Sequence, residues 1–240
     1  TTAEVDSHVQ NLSQIVARLG YDMGVLFTQE GERLSLVDNK GRPFQGTNLL
    51  AAMGSLVAQT TPDCTIAITI TAPTLLEEAL AKQGARVLRT KSDVRSLMSA
   101  SFDAGVSFAG DELGGFIFPA LHPGFDATFA FAKLVTMLQE TRQTLSDLAD
   151  GLPHFRLAYE QVRVPWEAKG AVMRRLAEEN REGSVELLDG IKIHGEDSWV
   201  LVLPDAVEPM FHVYAESPED SASRDLVDQY EKKINDWIGA

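Results

Sequence analysis

Along the first 155 residues, apolar positions fall alternately into short unbroken runs and into 3.6-residue spacing, a pattern that predicts strands alternating with helices. Residues 24–27 and 34–37 are extended runs joined by a polar turn, 28–33. Leu49, Leu50, Met53, Leu56 and Val57 share one face of a helix expected over 47–59. Thr61, Pro62 and Asp63 break that spacing, and a domain boundary is expected there. Residues 65–70 (Thr-Ile-Ala-Ile-Thr-Ile) are rich in β-branched types and predict a buried strand. Pro73 opens the next helix, where its missing N–H is harmless, and Gly84 closes it. A strand over 85–89, a helix over 93–103 and two short strands within 106–118 continue the rhythm. A longer helix runs from Asp126 to Glu140, with Phe129, Leu134, Val135 and Leu138 expected to face inward. Strands separated by helices imply βαβ units and a partly parallel sheet.

The rhythm stops around residues 152–154. A strand over 155–164 and a helix over 167–180 are followed by strands close together, at 184–188, 191–194, 199–203 and 210–215. A final helix is predicted with Ser217 at its N-cap, Pro218 at its first position and Asp220 at its third. Leu226, Tyr230, Ile234, Trp237 and Ile238 form its apolar stripe. The expected fold class is α/β followed by α+β, an antiparallel sheet with helices, divided as 1–62, 63–154 and 155–240.

Composition narrows the partners. The chain has 240 residues, 44% of them apolar, enough for one large domain or two to three small ones. Lys and Arg number 21 against 35 Asp and Glu, a formal charge of −14, which excludes the cation-rich surface that nucleic acid or an anionic membrane requires. The sequence contains no 18-residue apolar run to span a bilayer. The segment Thr1-Thr2-Ala3-Glu4-Val5-Asp6 lacks the basic start and apolar stretch of a signal peptide. Cys64 alone forms no internal disulfide and fits a reducing compartment, the cytoplasm. Without an initial Met, the chain reads as an excised or processed piece.

Familiar catalytic templates do not match. His8, His122, His154, His194 and His212 lie far apart with no HxxxH or HExxH pair, and Cys64 starts a strand as a core residue would. There is no G-x-S-x-G elbow, Walker loop or dinucleotide fingerprint, so no catalytic residue is assigned. Three loops remain, 28–33 (Thr-Gln-Glu-Gly-Glu-Arg), 110–115 (Gly-Asp-Glu-Leu-Gly-Gly) and 203–209 (Leu-Pro-Asp-Ala-Val-Glu-Pro). Each lies at a strand end, where such folds place ligands. Taken singly they are a polar hairpin, a flexible turn and a proline-bounded turn.

In order and context, these loops resemble those of the α-D-phosphohexomutases, the phosphomannomutases and phosphoglucomutases. Phe27-Thr28-Gln29-Glu30-Gly31-Glu32-Arg33-Leu34 stands where that family has F-D-G-D-x-D-R-L, and Val37-Asp38-Asn39-Lys40-Gly41 matches its V-D-x-x-G. Residues 110–115 occupy the G-E-x-S-G-H sugar loop. Asp189-Gly190-Ile191-Lys192 and Trp199-Val200-Leu201-Val202 match the D-G-[VI]-K and W-V-L-V that lead to the R-P-S-G-T-E-P phosphate loop. The resemblance implies the C-terminal part of a four-domain fold: a truncated metal-loop domain over 1–62, keeping its last two strands, a sugar-recognition domain over 63–154 and a phosphate-loop domain over 155–240. It implies Mg2+ at Glu30 and Glu32, and hexose phosphate contacts from Arg33, Arg95, Asp111, Glu112 and Glu208. Residues 115–119, 122–126 and 165–170 are similar to one branch, the mutase-like region fused to a mannose-1-phosphate guanylyltransferase.

The departures carry as much information. Thr28, Glu30 and Glu32 replace three aspartates, and longer side chains at fixed spacing suit octahedral magnesium poorly. Leu113 and Gly115 replace a serine and a histidine, and Asp93 replaces a flexible glycine near Arg95. In the phosphate loop Leu203, Asp205, Ala206 and Val207 replace Arg, Ser, Gly and Thr. Asp205 is expected there without a cation to offset it. At about 4 Å and an effective dielectric of about 20 it would repel a phosphate charge by roughly 4 kcal/mol. The leading expectation is a degenerate module of a sugar-nucleotide (GDP-mannose type) biosynthesis protein. The alternative is the substrate-binding half of a working mutase whose phosphoserine domain lies upstream. The missing N-terminal part or a second chain is the expected partner, through an unpaired strand edge near 24–37 that favours an oligomer.

Overall fold

A computed structural model describes residues 2–103, 105–181 and 183–239. The chain divides into two compact units, Thr1–Phe155 and Arg156–Ala240.

The first unit opens with a helix, α1 (Thr2–Leu19), in a stretch where the sequence reading placed no element. Val9, Leu12 and Val16 recur at helical spacing and pack on Val37 and Leu26. Strands β1 (Met23–Phe27), β2 (Leu34–Asp38) and β3 (Pro43–Phe44) form an antiparallel sheet in that order. The helix α2 (Gly46–Thr60) follows, buried along Leu49–Val57. Next come β4 (Thr65–Thr69), α3 (Thr74–Lys82), β5 (Arg86–Thr90), α4 (Val94–Ser101), β6 (Val106–Gly110) and β7 (Phe116–Ile117). Their sheet has the order β5-β4-β6-β7, parallel except for β7. Ile66 and Ile68 of β4 face the core shared with α2, whereas Ala67 turns to Leu97 and Ala100 of α4 on the other face. Leu34, Leu36 and Phe44 belong to the same core as α2, Ile66 and Phe108, so the apolar interior is continuous across residue 62.

Two helices close this unit, α5 (Ala127–Thr141) and α6 (Leu145–Gly151). Asp126 caps α5 by accepting from Phe129 N. Val135, expected inside, is 42% exposed, and Met137 is buried instead. With Leu134 facing the core, the next residue is carried about 100° around the helix and out of it. The sequence reading did not foresee α6, although it begins with a capping box: Thr144 accepts from Asp147 N and the Asp147 carboxylate accepts from Thr144 N.

The second unit contains β8 (Leu157–Arg163), α7 (Trp166–Glu179), β9 (Ser184–Glu186), β10 (Ile191–His194), β11 (Trp199–Pro204), β12 (Met210–Glu216) and α8 (Asp220–Ile238). The sheet order is β8-β12-β11-β10-β9, antiparallel throughout. Val162, Val200, Val202, Phe211 and Val213 meet Val172 and Leu176 of α7 and Val227, Tyr230 and Ile234 of α8 in a core of their own. Ser217 is not the cap of α8. Its hydroxyl donates to Glu219 O at 2.7 Å and accepts from Glu219 N, so it stabilises the turn before the helix, and Glu219 is the cap position. Among the described residues no helix is long and apolar enough to cross a membrane.

Candidate functional site

The turn between β1 and β2 is held by its own backbone. Arg33 N donates to Thr28 Oγ1 at 3.2 Å, Thr28 N to Arg33 O at 3.0 Å, and Gly31 N to Thr28 O at 3.0 Å. The turn docks on the loop after β6 through Leu34 N, which donates to Gly114 O at 3.1 Å. Gly114 has φ +83, and a Cβ there would lie 2.2 Å from Leu34 O, so only glycine lets the two loops meet. This contact brings two expected substrate residues together. Arg33 Nη1 lies 2.8 Å from both oxygens of Asp111, and its guanidinium sits 4.9 Å over the Phe125 ring. Asp111 Oδ1 also accepts from Leu113 N at 3.0 Å and Gly115 N at 2.9 Å. Asp111 is 5% exposed and its acceptors are taken, so the pair acts as a tie between loops.

Glu112 turns inward as well. Its Oε2 lies 2.8 Å from Thr69 Oγ1 and its Oε1 3.1 Å from Thr71 Oγ1, while the two hydroxyls are 2.7 Å apart. Three contacts need three hydrogens, and the hydroxyls supply two. Burial pushes the Glu112 carboxyl up, the direction in which a protonated carboxyl would supply the third. Next to it Arg89, which the sequence reading passed over, donates to the carbonyls of Thr69, Ala72 and Pro73 and pairs with Glu77, fixing the turn from β4 into α3.

Arg95 is exposed in the first turn of α4, whose N-cap is Asp93. The hydroxyl of Ser96, followed by backbone N–H groups, holds the Asp93 carboxyl below its ordinary range. Glu30 and Glu32 are exposed on either side of Gly31, and among the described residues no group of three His, Cys, Asp or Glu could hold a metal. Thr28, at the first position of the acidic pattern, spends its hydroxyl oxygen on Arg33 N. The turn thus offers two exposed carboxylates where the expected pattern has three acids.

The loop between β11 and β12 overturns one expectation. Asp205 is not a bare carboxylate. Its Oδ1 accepts from Val207 N and Glu208 N, both at 2.7 Å, and its Oδ2 lies 2.8 Å from His212 Nε2. A carboxylate only accepts, so Nε2 carries a hydrogen, and Nδ1 faces Tyr159 Oη at 2.9 Å. The His212 contact, with the backbone N–H groups of Glu208 and Val207, holds the Asp205 carboxyl down at about 2. Lys169 of α7 secures the same loop from behind. Its Nζ donates to Asp205 O and Glu208 O, each at 2.6 Å, and lies 3.8 Å from the centre of the Trp166 ring. Glu208 is exposed and contributes backbone groups to this arrangement. The cause is local: an Asx turn satisfies the aspartate with N–H groups two and three residues ahead.

With parallel strands leading into loops 110–115 and an antiparallel sheet carrying loop 203–209, the class is set: the chain has a phosphohexomutase-like α/β fold. Residues 45–155 match the family model described as phosphoglucomutase/phosphomannomutase, alpha/beta/alpha domain III. Among curated relatives, the phosphoglucomutase/phosphomannomutase of Thermococcus kodakarensis is 28% identical over 93% of this chain and 49% of its own. The phosphoglucosamine mutase of Methanococcus vannielii is 26% identical over 90% of this chain and 49% of its own. The chain thus spans about half the length of these relatives. Among solved structures, a phosphoglucomutase/phosphomannomutase family protein from Burkholderia thailandensis superposes with a TM-score of 0.78 at 20% identity, covering 96% of this chain and 51% of that one. Aspergillus fumigatus N-acetylphosphoglucosamine mutase, solved with GlcNAc-6P and magnesium, gives a TM-score of 0.66 at 14% identity over 90% of this chain and 49% of that one.

Proposed function

We propose that this chain is a degenerate phosphohexomutase-like module of a sugar-nucleotide (GDP-mannose type) biosynthesis protein, without mutase activity by itself. The observation that carries this reading is the seat of Asp205. The N–H groups of Val207 and Glu208, together with His212, already hold an anion, the protein's own carboxylate. A hexose phosphate would have to displace it against like-charge repulsion, in a loop whose arginine and hydroxyl positions are Leu203 and Val207. Phosphoryl transfer relies on a clamp and a divalent cation, and the turn at Glu30 and Glu32 keeps two exposed carboxylates in place of three aspartates. Assay of the chain, and of the longer polypeptide if one exists, with mannose 1-phosphate or glucose 1-phosphate, Mg2+ and a bisphosphate activator tests this. Turnover near 1–10 per second, ordinary for an enzyme, overturns it.

A second reading is favoured by the relatives, which bear mutase names and of which the chain matches about half. On it, the chain is the substrate-binding half of a phosphomannomutase or phosphoglucomutase whose phosphoserine domain lies outside these 240 residues. It requires hexose phosphate binding by this chain that weakens when Arg95 is replaced by Ala. For either reading we infer a partner along β1, which among the described residues pairs only with β2 and forms one edge of its sheet. Sedimentation showing a non-associating monomer, with slow amide exchange along Met23–Phe27, contradicts that partner.

A further inference from the structure

At the end of β6 opposite loop 110–115, a cavity of about 330 Å³ opens between the last turn of α2, the start of β6 and α5. Phe129, Lys133 and Met137 stand four residues apart and line one stripe of α5, which forms a wall of the cavity. Phe118 closes another side, edge-on to Phe129 with ring centres 5.7 Å apart. The polar side chains among its lining residues are Thr61, Ser107 and Lys133, whose ammonium lies 5.9 Å from the centre of the Phe118 ring. Among the described residues no carboxylate pairs with Lys133, in a chain whose charge is −14. Val106 and Gly110 end a five-residue strand, so about 13 Å of β6 separates this cavity from the loop of Asp111.

We propose that this cavity is a binding site for a small aromatic carboxylate, distinct from the sugar and phosphate loops and independent of the function proposed above. A dry cavity of about 150 Å³ accepts benzene, so about 330 Å³ leaves room for a substituted ring and its carboxylate. Phe118 and Phe129 present ring faces and edges for offset or edge-to-face contact. One ammonium and two hydroxyls match one carboxylate. A phosphate dianion would need several charged or backbone donors to replace its hydration. A neutral ring would leave Lys133 unpaired over an apolar floor.

Phenylacetate is the probe and phenylacetamide its neutral isostere, titrated into the 240-residue chain at low salt while the methyl signals of Met137 and Val57 are followed by NMR. We expect saturable shifts with a dissociation constant of order 1 mM for so small a ligand. Phenylacetamide is expected to bind about tenfold more weakly. In Lys133→Met and Lys133→Gln, two variants that guard against misfolding of either one, the preference for the acid disappears while the amide still binds. Absent shifts, equal affinity for acid and amide in the native chain, or an unchanged preference in both variants would each overturn the proposal.

Discussion

Asp205 shows how one side chain can satisfy the donors of its own loop. Its carboxyl titrates at about 2 when folded against an ordinary 3.8, so its contribution is complete above about pH 4 and is lost as the pH falls through 2. Asp205→Ala should therefore cost about 1–2 kcal/mol at pH 7, after allowance for partial exposure, and almost nothing near pH 2. Urea unfolding at the two pH values measures both figures. Glu112 runs in the opposite direction. Burial raises its carboxyl above the ordinary 4.5, so ionising it weakens the folded state as the pH climbs from that value through the raised one. Glu112→Gln, which keeps a donor toward the threonines, should raise Tm relative to the native chain more at pH 8 than at pH 4. A gap in Tm that does not change with pH would rule out the protonated carboxyl.

At the scale of elements, loop 203–209 is fastened to α7 by Lys169, which is 8% exposed. Lys169→Met leaves two carbonyls of the loop without their donor and should cost about 2–3 kcal/mol, read as a lower unfolding midpoint. Gly114→Ala should cost a similar roughly 2–3 kcal/mol, because its φ is left-handed and its Cβ would strike Leu34 O. Much of the secondary structure was legible because apolar spacing encodes it: β4, α3 with Gly84 after its end, and the strands of the second unit lie within a residue or two of where that spacing places them. α1 was legible but unread, since Val9, Leu12 and Val16 carry its period among many polar residues. The site was harder to read. Matching residue 205 to a family serine predicts a repelling charge, whereas the local rule for an aspartate in a turn predicts satisfaction by the N–H groups ahead of it. The partners of Lys169 lie 36 and 39 residues away, and no local pattern announces them.

For the whole molecule, the division into two compact units implies two folding units. Residues 156–240 carry their own sheet, two helices and an apolar interior, so this segment alone should give cooperative unfolding and dispersed amide signals. A molten or aggregated segment would mean that its stability depends on the first unit. The continuous core across residue 62 implies that cutting there destabilises both pieces. The central claim, that the phosphate seat is filled from within, has a direct test in calorimetric titration of the native chain and of Asp205→Ser with mannose 6-phosphate. The account predicts no saturable heat from the native chain and a measurable, salt-sensitive signal from the variant. Saturable one-to-one binding by the native chain, unaltered in the variant, would contradict it.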